Sequence, residues 1–146
     1  MTSRSFLYHS EALIYIFLSF FLVPSILCPA LNILYDKPSL ELCRCLIMLK
    51  DATISGKLTV KESLPSLLNM LHFWRTIFTK HQSNSHHNVS SYNYRLVLWE
   101  AGISVSNKVL ECLIIRYTNN CALLNLESYL LSLVKLHLAH GNVELI

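Results

Sequence analysis

Twelve consecutive residues, Asp51-Ala52-Thr53-Ile54-Ser55-Gly56-Lys57-Leu58-Thr59-Val60-Lys61-Glu62, have the spacing of a calcium loop: a carboxylate first, glycine sixth and a carboxylate last. A hard cation held only by oxygen needs a first carboxylate, a sharp turn that glycine makes at little cost, and a final carboxylate that closes the sphere. On this spacing Asp51, Thr53, Ser55 and Glu62 bind by side chain and Lys57 by its carbonyl, with Thr59 acting through water. Only two of these ligands are carboxylates, and Lys57 and Lys61 lie within a Debye length, about 10 Å, of the ion. Affinity falls with ligand charge, which puts calcium at the weak end, on the order of 10⁻⁴–10⁻³ M. The bland alternative is a loop that keeps its turn and caps without an ion.

The elements around the loop read as helices. Ser39 caps one with Leu40, Cys43, Leu46 and Ile47 at helical spacing. Thr59 and Glu62 form a capping box for a long second helix through Leu67, Leu68, Leu71, Trp74 and Phe78, in which Pro65 should produce a kink or delay the start. Ser90 caps a helix through Tyr94, Val97 and Leu98, stopped by Gly102. Ser106 opens another with Val109, Leu110, Leu113, Ile114 and Tyr117, and a last helix from Leu126 to about His140 is apolar nearly all round. Trp74, Phe78, Trp99 and Tyr117 fall at core spacing, with Cys112 and Cys121 as small apolar fillers. The predicted class is all-α, built from repeated helix–loop–helix units.

Residues 1–36 differ from 37–146, which divides the chain into an apolar N-terminal segment and a helical domain. From Ala12 to Leu34 no charge interrupts the apolar run, although Pro24 and Pro29 do. Three readings stay open for it: a signal or leader, a membrane span, or a helix packed on the rest. The chain of 146 residues is 53% hydrophobic and 14% charged, with net charge +3. That balance suits a helical domain with an apolar segment, and it excludes nucleic acid as a partner, since no basic stripe with interleaved aromatics occurs. Five cysteines (Cys28, Cys43, Cys45, Cys112 and Cys121) form an odd, irregular set that reads as reduced thiols and a cytoplasmic setting.

Two further stretches fall in loop register. The first, 82–93, has Val89 at the apolar eighth position. Gln82, His87 and Asn93 stand where Asp, Gly and Glu are needed, so it is dead for calcium, and His87 should take a left-handed turn only at a cost. The second, around Thr118 to Tyr129, has Asn119, Asn125 and Glu127, with Leu124 as its apolar pairing residue and too few carboxylates to hold the ion. His81, His86 and His87, and His137 with His140, could ligate zinc or copper, but polar loops without a fixed supporting shell are usually solvated. Asn88-Val89-Ser90 is a glycosylation sequon that matters only in a secreted chain.

Short motifs in order then carry a resemblance: Ser39-Leu40-Glu41-Leu42-Cys43-Arg44, Gly56-Lys57-Leu58, Trp74-Arg75-Thr76-Ile77-Phe78, Ser91-Tyr92 with Arg95, Glu100-Ala101-Gly102-Ile103, Ile115-Arg116-Tyr117 and Val134-Lys135-Leu136. Over about residues 38 to 138 this resembles the C-terminal penta-EF-hand domain of a calpain large subunit. Calpains are calcium-dependent cysteine proteases, and this domain is their calcium-responsive, partner-binding end. The resemblance implies the second, third and fourth of five hands. The apolar segment stands in place of the first, and the fifth is missing. Hands of the family pair through their eighth positions, which implies that Val89 meets Leu124 and that Leu58 has lost its partner. The surface for family heterodimerisation would be gone as well. No stretch resembles the papain-type Cys-Gly-x-Cys-Trp site, so the expectation is a non-enzymatic, weakly calcium-binding or protein-interaction module. The alternative is a small membrane-inserted or secreted protein governed by residues 12–34.

Overall fold

The computed structural model describes residues 21–22, 38–51, 58–83 and 87–144, with side chains over 38–51, 63–83 and 87–139. Nine elements follow in order: β1 (Phe21–Leu22), α1 (Leu40–Lys50), β2 (Leu58–Thr59), α2 (Val60–His81), β3 (Val89–Ser90), α3 (Ser91–Glu100), α4 (Asn107–Tyr117), β4 (Leu123–Leu124) and α5 (Leu126–Glu144). The chain divides into two compact units, 1–68 and 69–146.

In the first unit, the Ser39 hydroxyl accepts from the Leu42 amide at 3.1 Å, fixing the start of α1 as the sequence predicts. Glu41 in the first turn and Lys50 in the last suit the helix dipole. Leu42, Cys43, Leu46 and Ile47 form its buried face, while Leu40, expected inside, is exposed. α2 starts at Val60 directly after β2, so Pro65 does not delay it, and the proline ring is exposed. β1 pairs antiparallel with β2, Leu22 opposite Leu58 and Phe21 opposite Thr59. This corrects the expectation that Leu58 lacks a partner: two residues of the apolar N-terminal segment take that place. The rest of 12–34 lies outside the described residues. Among the described residues no helix is long and apolar enough to cross a membrane.

In the second unit, Val89 pairs with Leu124, as the family resemblance implies, and Ser90 pairs with Leu123. Trp74 and Phe78 of α2, Tyr94, Val97 and Leu98 of α3, Leu113 of α4 and Tyr129, Leu130, Leu133 and Val134 of α5 form the core with that strand pair. Each such side chain, fully buried, contributes roughly 1.5–3 kcal/mol of transfer free energy. The Phe78 and Tyr129 rings lie 5.1 Å apart, and Trp74 stacks on His137 at 5.4 Å. The Tyr129 hydroxyl donates to the Trp74 carbonyl at 3.1 Å, and Ser132 donates to the Tyr129 carbonyl at 2.8 Å. The Tyr94 hydroxyl, beside Ser132, completes no hydrogen bond. Burial pushes both phenols far above their ordinary range, so both stay neutral. Gly102, at φ 95, ends α3: its amide donates to Trp99 and the Ile103 amide to Leu98, the two bonds of a Schellman motif.

Three core expectations need correction. Trp99 is 66% exposed, and Cys112 and Cys121 are exposed. The buried stripe of α3 is Tyr94, Val97, Leu98 and Ala101, which turns Trp99 outward beside Tyr92 and Leu96. On α4, Leu113 is the only residue counted as buried, so Cys112 has nothing to fill, and Cys121 sits in the following turn.

Denaturant unfolding should separate the two buried tyrosines. Tyr129→Phe loses its bond to Trp74 and costs about 1 kcal/mol, whereas Tyr94→Phe removes an unpaired hydroxyl and leaves stability equal or higher. Gly102→Ala should cost about 1 kcal/mol through backbone strain alone, since no atom lies within 4 Å of the added Cβ.

Candidate metal loop and its paired relatives

Asp51 directly follows α1. Its amide donates to the Ile47 carbonyl at 2.8 Å, closing the helix, and its carboxylate-bearing side chain is half-buried. Thr53, Ser55 and Lys57 lie outside the described residues, as does Gly56. Glu62 is the third residue of α2, and its side chain is likewise outside them. What is defined is the frame: a helix that ends on Asp51, a strand at Leu58–Thr59 and a helix that starts at Val60. The ammonium of Lys50 donates to Ser66 Oγ at 3.2 Å, tying the helices before and after the loop. Among the described residues no three His, Cys, Asp or Glu side chains gather into a metal-binding group.

His87 and Ala122 are the non-glycine residues with positive φ among the described ones, at 54° and 57°. Each lies two residues before its pairing residue, Val89 or Leu124, which makes it the sixth of twelve. His87 therefore adopts the left-handed turn that its side chain disfavours. The third loop consequently runs 117–128, one residue earlier than its sequence reading, and Ser128 rather than a carboxylate stands at its closing position. The Ser83 amide donates to Asn88 at 2.9 Å, the His87 amide to Ser83 at 3.2 Å, and across the pair the Ser91 amide donates to Ala122 at 2.9 Å.

In loop 117–128 both asparagine carboxamide oxygens are already engaged. Asn119 Oδ1 accepts from the amides of Cys121 at 2.9 Å and Leu123 at 3.0 Å. Asn125 Oδ1 accepts from Ser128 at 2.8 Å and so caps α5. An amide oxygen has two acceptor sites, and Asn119 has filled both. This loop is held by its own backbone donors.

At the end of α3, Glu100 bonds to His81 Nε2 at 2.9 Å and faces Lys80 Nζ at 3.5 Å, both from α2. The His81 hydrogen bond, aided by the nearby positive charge, holds the Glu100 carboxyl below its ordinary range against the opposing effect of burial. Ser106 Oγ accepts from Val109 at 3.2 Å to start α4, whereas Ser90 occupies the cap position of α3 without a side-chain bond.

Sequence reasoning missed a surface cleft of about 280 Å³ lined by Tyr92, Arg95, Leu96, Trp99 and Ile103. Arg95 is fixed there by bonds to the Val105 carbonyl and Asn107 Oδ1. The signal was present: Tyr92, Leu96, Trp99 and Ile103 recur at spacings of four, three and four, a second apolar stripe beside the buried one.

Ala122→Gly should raise stability by about 1 kcal/mol in urea unfolding, because glycine carries no penalty at φ 57. Asn119→Ala should lower it by about 1 kcal/mol, with Asn119→Asp largely restoring it. Glu100 titrates lower in the folded chain than in the unfolded one, so its contribution is present above the unfolded carboxylate pKa, about 4.3, and lost as pH falls through the folded value. Glu100→Gln should therefore flatten the acid limb of a plot of stability against pH.

No protein-family profile matches the chain. It is 30% identical over 105 residues to a calpain of Schistosoma mansoni, covering 71% of this chain and 14% of that protein. It is 31% identical over 101 residues to the calpain-1 catalytic subunit of Gallus gallus, covering 69% and 14%, and 28% identical over 102 residues to calpain-9 of Rattus norvegicus, covering 70% and 15%. The chain thus spans about 14% of the length of the first of these relatives. Among solved structures, a homologue of programmed cell death 6 protein from Leishmania major Friedlin superposes with a TM-score of 0.60 at 22% identity, covering 83% of this chain and 71% of that one. Helix–loop–helix units joined by short strand pairs, and calpain likeness over about 70% of the chain, together identify it as carrying a calpain-like penta-EF-hand domain.

Proposed function

We propose that the chain is a calcium-responsive regulatory and protein-interaction module without catalysis, and that loop 51–62 is its one ion site. The observation that carries this reading is the frame of that loop: α1 closing on Asp51, Leu58 in a strand pair and α2 starting two residues later. The donor set fits a hard cation, because every candidate atom is oxygen: the Asp51 and Glu62 carboxylates, the Thr53 and Ser55 hydroxyls and the Lys57 carbonyl. Calcium, when bound, supplies a positive charge that draws these oxygens together. Glu62 stands in the first turn of α2, so closing on the ion would reorient that helix and change the surface offered to a partner.

Two carboxylates and two nearby lysines keep the affinity weak. Of the three loops, only 51–62 has a carboxylate at both its first and last positions. No nucleophile–base constellation is readable in the sequence, which supports a non-catalytic role. The partner is a protein, of the penta-EF-hand or calpain type, and the irregular cysteine set supports a cytoplasmic setting.

Calorimetric titration of the whole chain should show one site with a dissociation constant on the order of 10⁻⁴–10⁻³ M. At 10 mM calcium this corresponds to about 1–3 kcal/mol of added stability. Glu62→Gln should abolish both signals. Identical heats and thermal midpoints with and without calcium in the parent chain would remove the ion from the account and leave only protein interaction.

A further inference from the structure

The two strand pairs are built alike. Val89 and Leu124 face each other, and each sits two residues before the helix that leaves its loop: α3 begins at Ser91 and α5 at Leu126. Leu58 likewise sits two residues before α2 at Val60, and it faces Leu22. Leu22 therefore occupies the place that the eighth residue of a partner loop would occupy. Twelve positions counted from that pairing cover 15–26, and the ligand positions one, three, five and twelve are then Tyr15, Phe17, Ser19 and Ile26. None carries a carboxylate or an amide.

We infer that the apolar segment around Leu22 is a surrogate first hand: it brings no ion and serves to close the pairing edge of loop 51–62 from within the chain. This gives a role to a stretch whose composition alone suggests a leader or an anchor. Strand donors and acceptors at Leu58 need partners when water is excluded, and Phe21–Leu22 supply them. Two consequences follow. The edge at Leu58 is closed to a strand from another chain. With no carboxylate or amide at positions 15, 17, 19 and 26 of the sequence, the ion that loop 51–62 takes has no second ion to couple to across this strand pair, so its binding curve has no cooperativity.

The test uses the full chain and nuclear magnetic resonance. In the parent, cross-strand proton contacts should join Phe21–Leu22 to Leu58–Thr59, and the Leu58 amide should exchange slowly. Leu22→Pro removes a backbone donor and should speed exchange at Leu58 by at least about tenfold, while Val89 and Leu124 keep their rates. Absence of those contacts in the parent, or an unchanged Leu58 rate in the variant, would overturn the inference. If the variant loses protection at Val89 and Leu124 as well, the parent's contacts decide. Phosphatidylcholine vesicles should leave Leu58 slow; a chain that pellets with them and loses Leu58 protection has a bilayer as the segment's partner, which contradicts the inference.

Discussion

Val89 facing Leu124 is the contact from which the second unit of the molecule is built. Each lies in a strand of two residues, too short to persist alone, and each side chain is fully buried. Their alignment requires a left-handed residue two positions earlier in both loops, and the chain provides it without glycine, at His87 and Ala122. The bond from Ser91 to Ala122 ties the two turns together. α3 and α5 leave these loops at fixed points, which brings Tyr94, Val97 and Leu98 together with Tyr129, Leu130, Leu133 and Val134 in one core. The conformational cost of the two turns is small beside the apolar surface that the pair allows to be buried.

The same frame separates scaffold from ion chemistry. In loop 117–128 the carboxamides of Asn119 and Asn125 bond to backbone amides. Such bonds hold the turn without a cation, and a cation would have to displace them. Loop 51–62 differs in kind, because its sequence retains carboxylates at both ends. Repeated helix–loop–helix architecture thus persists where the loop carries few carboxylates, and the frame alone does not distinguish the loops.

Local signals read well from the sequence because each depends on a few neighbouring residues. Ser39 and Ser106 as caps, Gly102 as a stop, and Cys43, Leu46 and Ile47 on the buried face of α1 were legible in this way, whereas the pairing of Val89 with Leu124 came from the family resemblance. Distant relations were not. Leu58 finds its partner 36 residues back in the chain, in a segment whose uniform apolar character hides any strand register. Trp99 was misread because aromatic residues usually imply burial, although Tyr94, Val97, Leu98 and Ala101 already fill the inward face of α3. The third loop was placed one residue late because Tyr117 and Ser128 lack the carboxylates that would mark its ends. Of the candidate ligands, Asp51 is seen at the end of α1, and Glu62 is placed on α2 by its backbone.

The central claim is that paired loops form the scaffold and that one of them alone responds to calcium. It is tested most directly by following every backbone amide of the full chain during a calcium titration. The account predicts that signals between Asp51 and Glu62, with those of Phe21 and Leu22, move along one curve with a millimolar midpoint, while Val89, Asn119 and Leu124 stay in place. A response centred on Asn119 and Leu124, with Asp51 and Glu62 unmoved, would contradict it.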